Sequence, residues 1–142
     1  MKLWNSTIDS IYKKFAKKLE SNRFKLLDCG SYRMVWQRKG IVIKIPLNES
    51  GILDNMVESA VWHRYKSQPT PQGYYLAPSR LLKNNCLMMV SVDVDSDDDL
   101  PAWAYNIDGC QVGIYKNRFV AYDYALDVEV PDDLAQKYFG LF

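Results

Sequence analysis

An α+β fold built around an antiparallel sheet is predicted by three observations. Three short apolar runs, Phe24 to Leu27, Met34 to Arg38 and Ile41 to Leu47, are separated only by turn residues, the pattern of a meander. Residues 6–20 and 52–66 carry apolar side chains at helical spacing. Two more short runs, "LAPSRLL" and "CLMMVSV", follow the second helix and bring the sheet to five strands.

The first helix is amphipathic. Ser6 suits its N-cap and Asp9 its first turn. Ile8, Ile11, Tyr12, Phe15 and Leu19 form its apolar face, and Lys13, Lys14, Lys17 and Lys18 lie opposite. Cys29-Gly30-Ser31 turns the chain between the first two strands, and Lys39-Gly40 between the second and third. Leu53, Met56, Val57, Ala60 and Val61 form the expected buried stripe of the second helix. "SQPTPQG" ends that helix, and Lys83-Asn84-Asn85 joins the fourth and fifth strands. An acidic linker follows, with five aspartates between Asp93 and Asp99. It has neither the central glycine nor the closing glutamate of a calcium loop. Residues 106–126 read as a polar turn and two short strands. The tail from Pro131 to Phe139 suits a short helix, with Pro131 at its first position.

Length and composition fit one domain with an ample core, at 48% hydrophobic and 13% aromatic residues in 142. Its parts read as an N-terminal helix (1–22), a sheet and helix (23–92), the acidic linker (93–105), the hairpin (106–126) and the tail (127–142). The net charge of +1 divides unevenly: residues 1–44 carry +8 and residues 45–142 carry −7. Mutual attraction of the two parts within one fold accounts for this, and the near-neutral total gives no reason to expect a nucleic-acid partner. Cys29, Cys86 and Cys110 form no C-x-x-C pair, so neither a disulfide framework nor a zinc site is expected. With no signal-like or membrane-length apolar run, a cytoplasmic location is expected.

Four residues stand out by their order along these elements. Gly30 lies in the first turn, Lys44 in the third strand ("IVIK"), Glu58 in the following helix, and Asp123 after the hairpin ("AYDYA"). From residue 24 to 126 the chain thereby resembles the protein-kinase-like fold. The resemblance implies a kinase-like N-lobe, an antiparallel five-stranded sheet with one packed helix, followed by a minimal catalytic hairpin and little or no helical C-lobe. It implies that Gly30 belongs to the turn over the nucleotide phosphates. Lys44 would neutralise the phosphates, Glu58 would hold Lys44, and Asp123 would bind the metal.

The departures concern chemistry. Aligned on Val112-Gly113, Asn106 takes the place of the catalytic aspartate and Gln111 that of the metal-binding asparagine. Asn106 cannot accept a proton. Asp108, the alternative base, falls two residues late. The turn "DCGSYRMV" has one glycine where kinases have three, and Arg33 there either contacts phosphate or blocks the pocket. His63 reads as an ordinary helix residue, with no nucleophile motif beside it. Trp103, Tyr105, Tyr122 and Tyr124 are candidates for a partner-binding or self-association edge.

The resemblance is to small, reduced, phage-type kinase-like proteins and pseudokinases. It implies a catalytically inactive protein that binds and modulates a host protein in the host cytoplasm. Two alternatives stay open: a nucleotide sensor holding ATP and magnesium, and an atypical active kinase or nucleotidyl transferase that uses Asp108 or Asp123. A small α+β domain in which Lys44 and Glu58 form an ordinary internal ion pair also fits the pattern.

Overall fold

The computed structural model describes residues 6–66, 68–94, 99–107 and 111–124. Helix α1 (Ser6–Ser21) leads into the meander β1 (Lys25–Cys29), β2 (Arg33–Arg38) and β3 (Ile41–Pro46). Helix α2 (Glu49–Tyr65) follows, then β4 (Ser79–Leu81) and β5 (Leu87–Val90). A 3-10 turn (Ala102–Asn106) precedes the hairpin β6 (Val112–Tyr115) and β7 (Arg118–Ala121). The expected tail helix lies outside the described residues, as do Asp108 and Cys110. No described helix is long and apolar enough to cross a membrane.

Five antiparallel strands form one sheet in the order β1-β2-β3-β5-β4, and β6-β7 form a second sheet. β3 lies at the centre, and Val42 to Pro46 are all buried. A strand covered on both faces loses the apolar–polar alternation of a half-exposed one. One face carries Trp36, Ile43 and Ile45 into a core with Tyr12 and Leu19 of α1 and with Cys86. The other carries Val42 and Met89 into a larger core with Val57 and Val61 of α2, Tyr74, and the hairpin residues Val112 and Val120. Two helices therefore cover the sheet, one on each side, where the kinase-like resemblance implied one packed helix. Tyr12 fixes α1 further, its hydroxyl donating to the Asn84 carbonyl at 2.7 Å. Ile11, assigned to the apolar face of α1, is half-exposed instead.

Local chemistry sets the turns. Lys39 and Gly40 both have positive φ (33° and 76°), as do Lys116 and Asn117 (50° and 64°). Both are two-residue links of the kind whose twist matches a hairpin. β1 is exposed along its whole length. Its register with β2 slips between Leu26 and Asp28, a bulge that bends the edge strand. The hairpin is tied to the rest of the fold by bridges from Ala121 to Leu76 and from Ile114 to Asp93. Asn48 caps α2 by accepting from the Gly51 amide at 3.0 Å.

Candidate functional site

α2 does not bury the stripe that its apolar spacing suggested. Val57 and Val61 are buried, but Leu53 is 37% exposed and Met56 and Ala60 are only half-covered. Gly51, Asn55, Glu58 and Ser59 lie inside. They recur at intervals of four, three and one residues, on one side of the helix. That side meets β3 where Lys44 emerges. A helix packed over a charged side chain must offer it polar partners, since an unpaired buried charge is strongly disfavoured.

Glu58 is fully buried, and its carboxylate accepts from Lys44, Arg33 and the Tyr124 amide. Oε1 accepts from Lys44 Nζ and from Arg33 Nη1, each at 2.8 Å. Oε2 accepts from Arg33 Nη2 and from the Tyr124 backbone amide, each at 3.1 Å. Burial alone would raise its pKa, but Lys44 and Arg33 outweigh that and hold it at about 2. Lys44 also donates to the Tyr122 carbonyl at 2.6 Å. Its pKa is lowered, first by burial and then, against the pull of Glu58, by the Arg33 charge.

Arg33 completes the cluster. Its Nη2 also donates to Asp123 Oδ1 at 2.8 Å, and Nη1 donates to Asn55 Oδ1 at 3.1 Å. Asn55 Nδ2 donates to the carbonyls of Lys44 and Asn85, at 3.0 and 2.9 Å. β2, β3, α2 and the chain after β7 thus meet through one hydrogen-bonded network. The Arg33 guanidinium lies between the carboxylates of Glu58 and Asp123, and Arg33 also lines the cleft. Asp123 is half-buried, and its pKa is raised, first by burial and next by the Glu58 charge.

A cation of the chain itself, Arg33, takes the place between the two acids and bonds one oxygen of Asp123, Oδ1. Gln111, the other residue considered for a metal, lines the same cleft as Asp123. Among the described residues no group of three or more His, Cys, Asp and Glu is disposed to hold a metal ion. Asn106 ends the 3-10 turn and is exposed.

Gly30 lies at the mouth of the cleft without a positive φ, and a Cβ there would meet nothing closer than 3.8 Å. Its surroundings do not require glycine. Gly51 is the sterically demanding position: a Cβ there would run into the Tyr32 carbonyl oxygen.

The four aromatic candidates separate. Tyr124 is fully buried, and its hydroxyl donates to the Ala77 carbonyl at 3.0 Å beside Ser79 Oγ at 3.2 Å. It is a core residue, which corrects its assignment to a partner surface. Trp103 packs on Tyr74 with ring centroids 5.4 Å apart. Tyr122 is half-buried and lines the cleft. Tyr105 is 70% exposed and is the one of the four at the surface. His63 is exposed, and its Nδ1 bonds the Ser59 carbonyl at 2.7 Å.

The sequence reading missed Asn55, Gly51 and the core role of Tyr124. A signal for the first two was present: small and polar residues at helical spacing, the mark of a helix facing something charged or close. Tyr124 carried no such signal.

A cleft of about 790 Å³ opens beside the cluster. Val35, Val42, Met89 and Val90 line it, and Asp28, Asp54 and Asp93 bring charge to it. No protein-family model, no curated protein and no solved structure matches the chain. The functional reading therefore rests on the residues and their geometry.

Proposed function

We propose that the chain is a kinase-like binding protein without phosphoryl-transfer activity, acting on a protein partner. One observation carries the reading: the Arg33 guanidinium bridges Glu58 and Asp123. Phosphoryl transfer depends on metal ions that neutralise the phosphate oxygens and on a base that orients the nucleophile. Here a side chain of the protein supplies the charge between the acids, and Asn106 has no basic group to offer. The network then serves as a rigid support joining the sheet, α2 and the hairpin. In keeping with the resemblance to small phage-encoded proteins, the partner of this reading is a host-cell protein.

The test is transfer of radiolabel from magnesium ATP to the chain itself and to generic protein acceptors. No label above background is expected. Transfer that disappears in Asp123→Ala would overturn the reading. A second reading, the nucleotide sensor, draws on the cleft beside Lys44, whose volume is of the size that holds a small ligand. Titration with ATP, with and without magnesium, separates the two.

A further inference from the structure

The charge in the cleft favours a different ligand from the one its position suggests. Its lining includes four carboxylates, Asp28, Asp54, Asp93 and Asp123, and two cations, Arg33 and Lys44. Both cations are already bound to Glu58, which lies beneath the cleft, and Arg33 also to Asp123. The two positive charges are thereby matched by two carboxylates, Glu58 and Asp123. Asp54 makes no ion pair among the described residues, and burial pushes its carboxyl pKa up against the pull of the Arg33 charge. Asp28 accepts from the neighbouring Cys29 amide at 2.9 Å. From β2, β3 and β5 come Val35, Val42, Met89 and Val90, together with the polar Gln37.

We propose that this cleft binds a small organic cation with an apolar body, rather than a nucleotide polyphosphate. The apolar part packs on the valines and Met89, and the ammonium or amidinium group pairs with Asp54 and Asp28. A triphosphate would bring several negative charges to a site whose cations are already neutralised, and like charges brought together disfavour binding. The site accordingly selects by charge first and by shape second. The inference concerns the cleft alone, so its failure is distinct from that of the non-catalytic reading. ATP that binds without transfer sinks this inference and leaves that reading standing.

The test uses the full chain and two matched probes, tryptamine and indole-3-propionate, with ATP as a third ligand. Binding is followed by backbone amide chemical shifts at Val90, Ser91 and Gln111. Tryptamine should bind at least about tenfold tighter than the indole carboxylate, and ATP should not compete with it. Raising sodium chloride from about 50 to about 500 mM should weaken tryptamine binding by about threefold or more, a readout that needs no variant. The combined substitution Asp28→Asn and Asp54→Asn should reverse the preference between the two indoles. Equal or tighter binding of the carboxylate or of ATP would overturn the proposal. So would an affinity for tryptamine indifferent to salt, or an absence of shifts in the cleft at millimolar tryptamine.

Discussion

Arg33 and Glu58 meet inside the protein as a two-pronged ion pair, Nη1 to Oε1 at 2.8 Å and Nη2 to Oε2 at 3.1 Å. The planar guanidinium matches the carboxylate on both arms, a geometry that an ammonium group cannot reproduce. Around this pair Lys44 and Asp123 take opposite sides, Lys44 on the glutamate and Asp123 on the arginine.

Removing the glutamate leaves two buried cations without their shared partner. Glu58→Ala is expected to lower the unfolding free energy by about 3–5 kcal/mol. Lys44→Met should cost less, about 1–3 kcal/mol, because Arg33 and the Tyr124 amide still satisfy the carboxylate. Urea unfolding measures both. A Glu58→Ala variant within about 1 kcal/mol of the parent would show that the cluster adds little to the fold.

The same carboxylate sets part of the acid limit. Its folded pKa is about 2 against an ordinary 4.5. A depressed carboxylate pKa contributes stability that is fully present above 4.5 and lost as pH falls from there towards 2. Melting temperatures followed down that range should drop in the parent, and in Glu58→Gln the drop should be shallower. Parallel curves would assign the acid limb to other groups.

Two glycines offer a contrast. Gly51→Ala sets a methyl against the Tyr32 carbonyl oxygen and the Pro46 backbone, neither of which is a flexible side-chain end. It should destabilise by about 1–3 kcal/mol or more. Gly30→Ala, in open surroundings, should stay within about 0.5 kcal/mol of the parent. Thermal melts of the two variants decide it. A larger effect at Gly30 would mean that the turn is tighter than its geometry indicates.

The cysteines differ in the same way. Cys86 is buried, and burial raises its thiol pKa to about 12, whereas Cys29 is exposed on β1. The thiolate is the reactive form. Under native conditions iodoacetamide should therefore alkylate Cys29 and spare Cys86, and denaturant should expose Cys86. Peptide mass spectrometry reads both sites, and rapid native labelling of Cys86 would contradict the packing of α1 on the sheet.

Apolar periodicity and turn residues are local properties, so the order of the elements could be read along the chain. The predicted limits of β2, β3 and α1 lie within a residue of those observed. The Lys44–Glu58 pair was also legible, because the two residues are only fourteen apart on consecutive elements. What Arg33 does was not. Its acidic partners lie 25 and 90 residues away, and only the folded sheet and hairpin bring them within reach of one guanidinium. The orientation of α2 was likewise decided in three dimensions. Apolar spacing favoured Leu53 and Met56 for its buried face, but the helix packs over two cations, and a buried charge must be paired. Electrostatic satisfaction of Lys44 and Arg33 outweighed apolar burial, and the helix turned Asn55 and Glu58 inward.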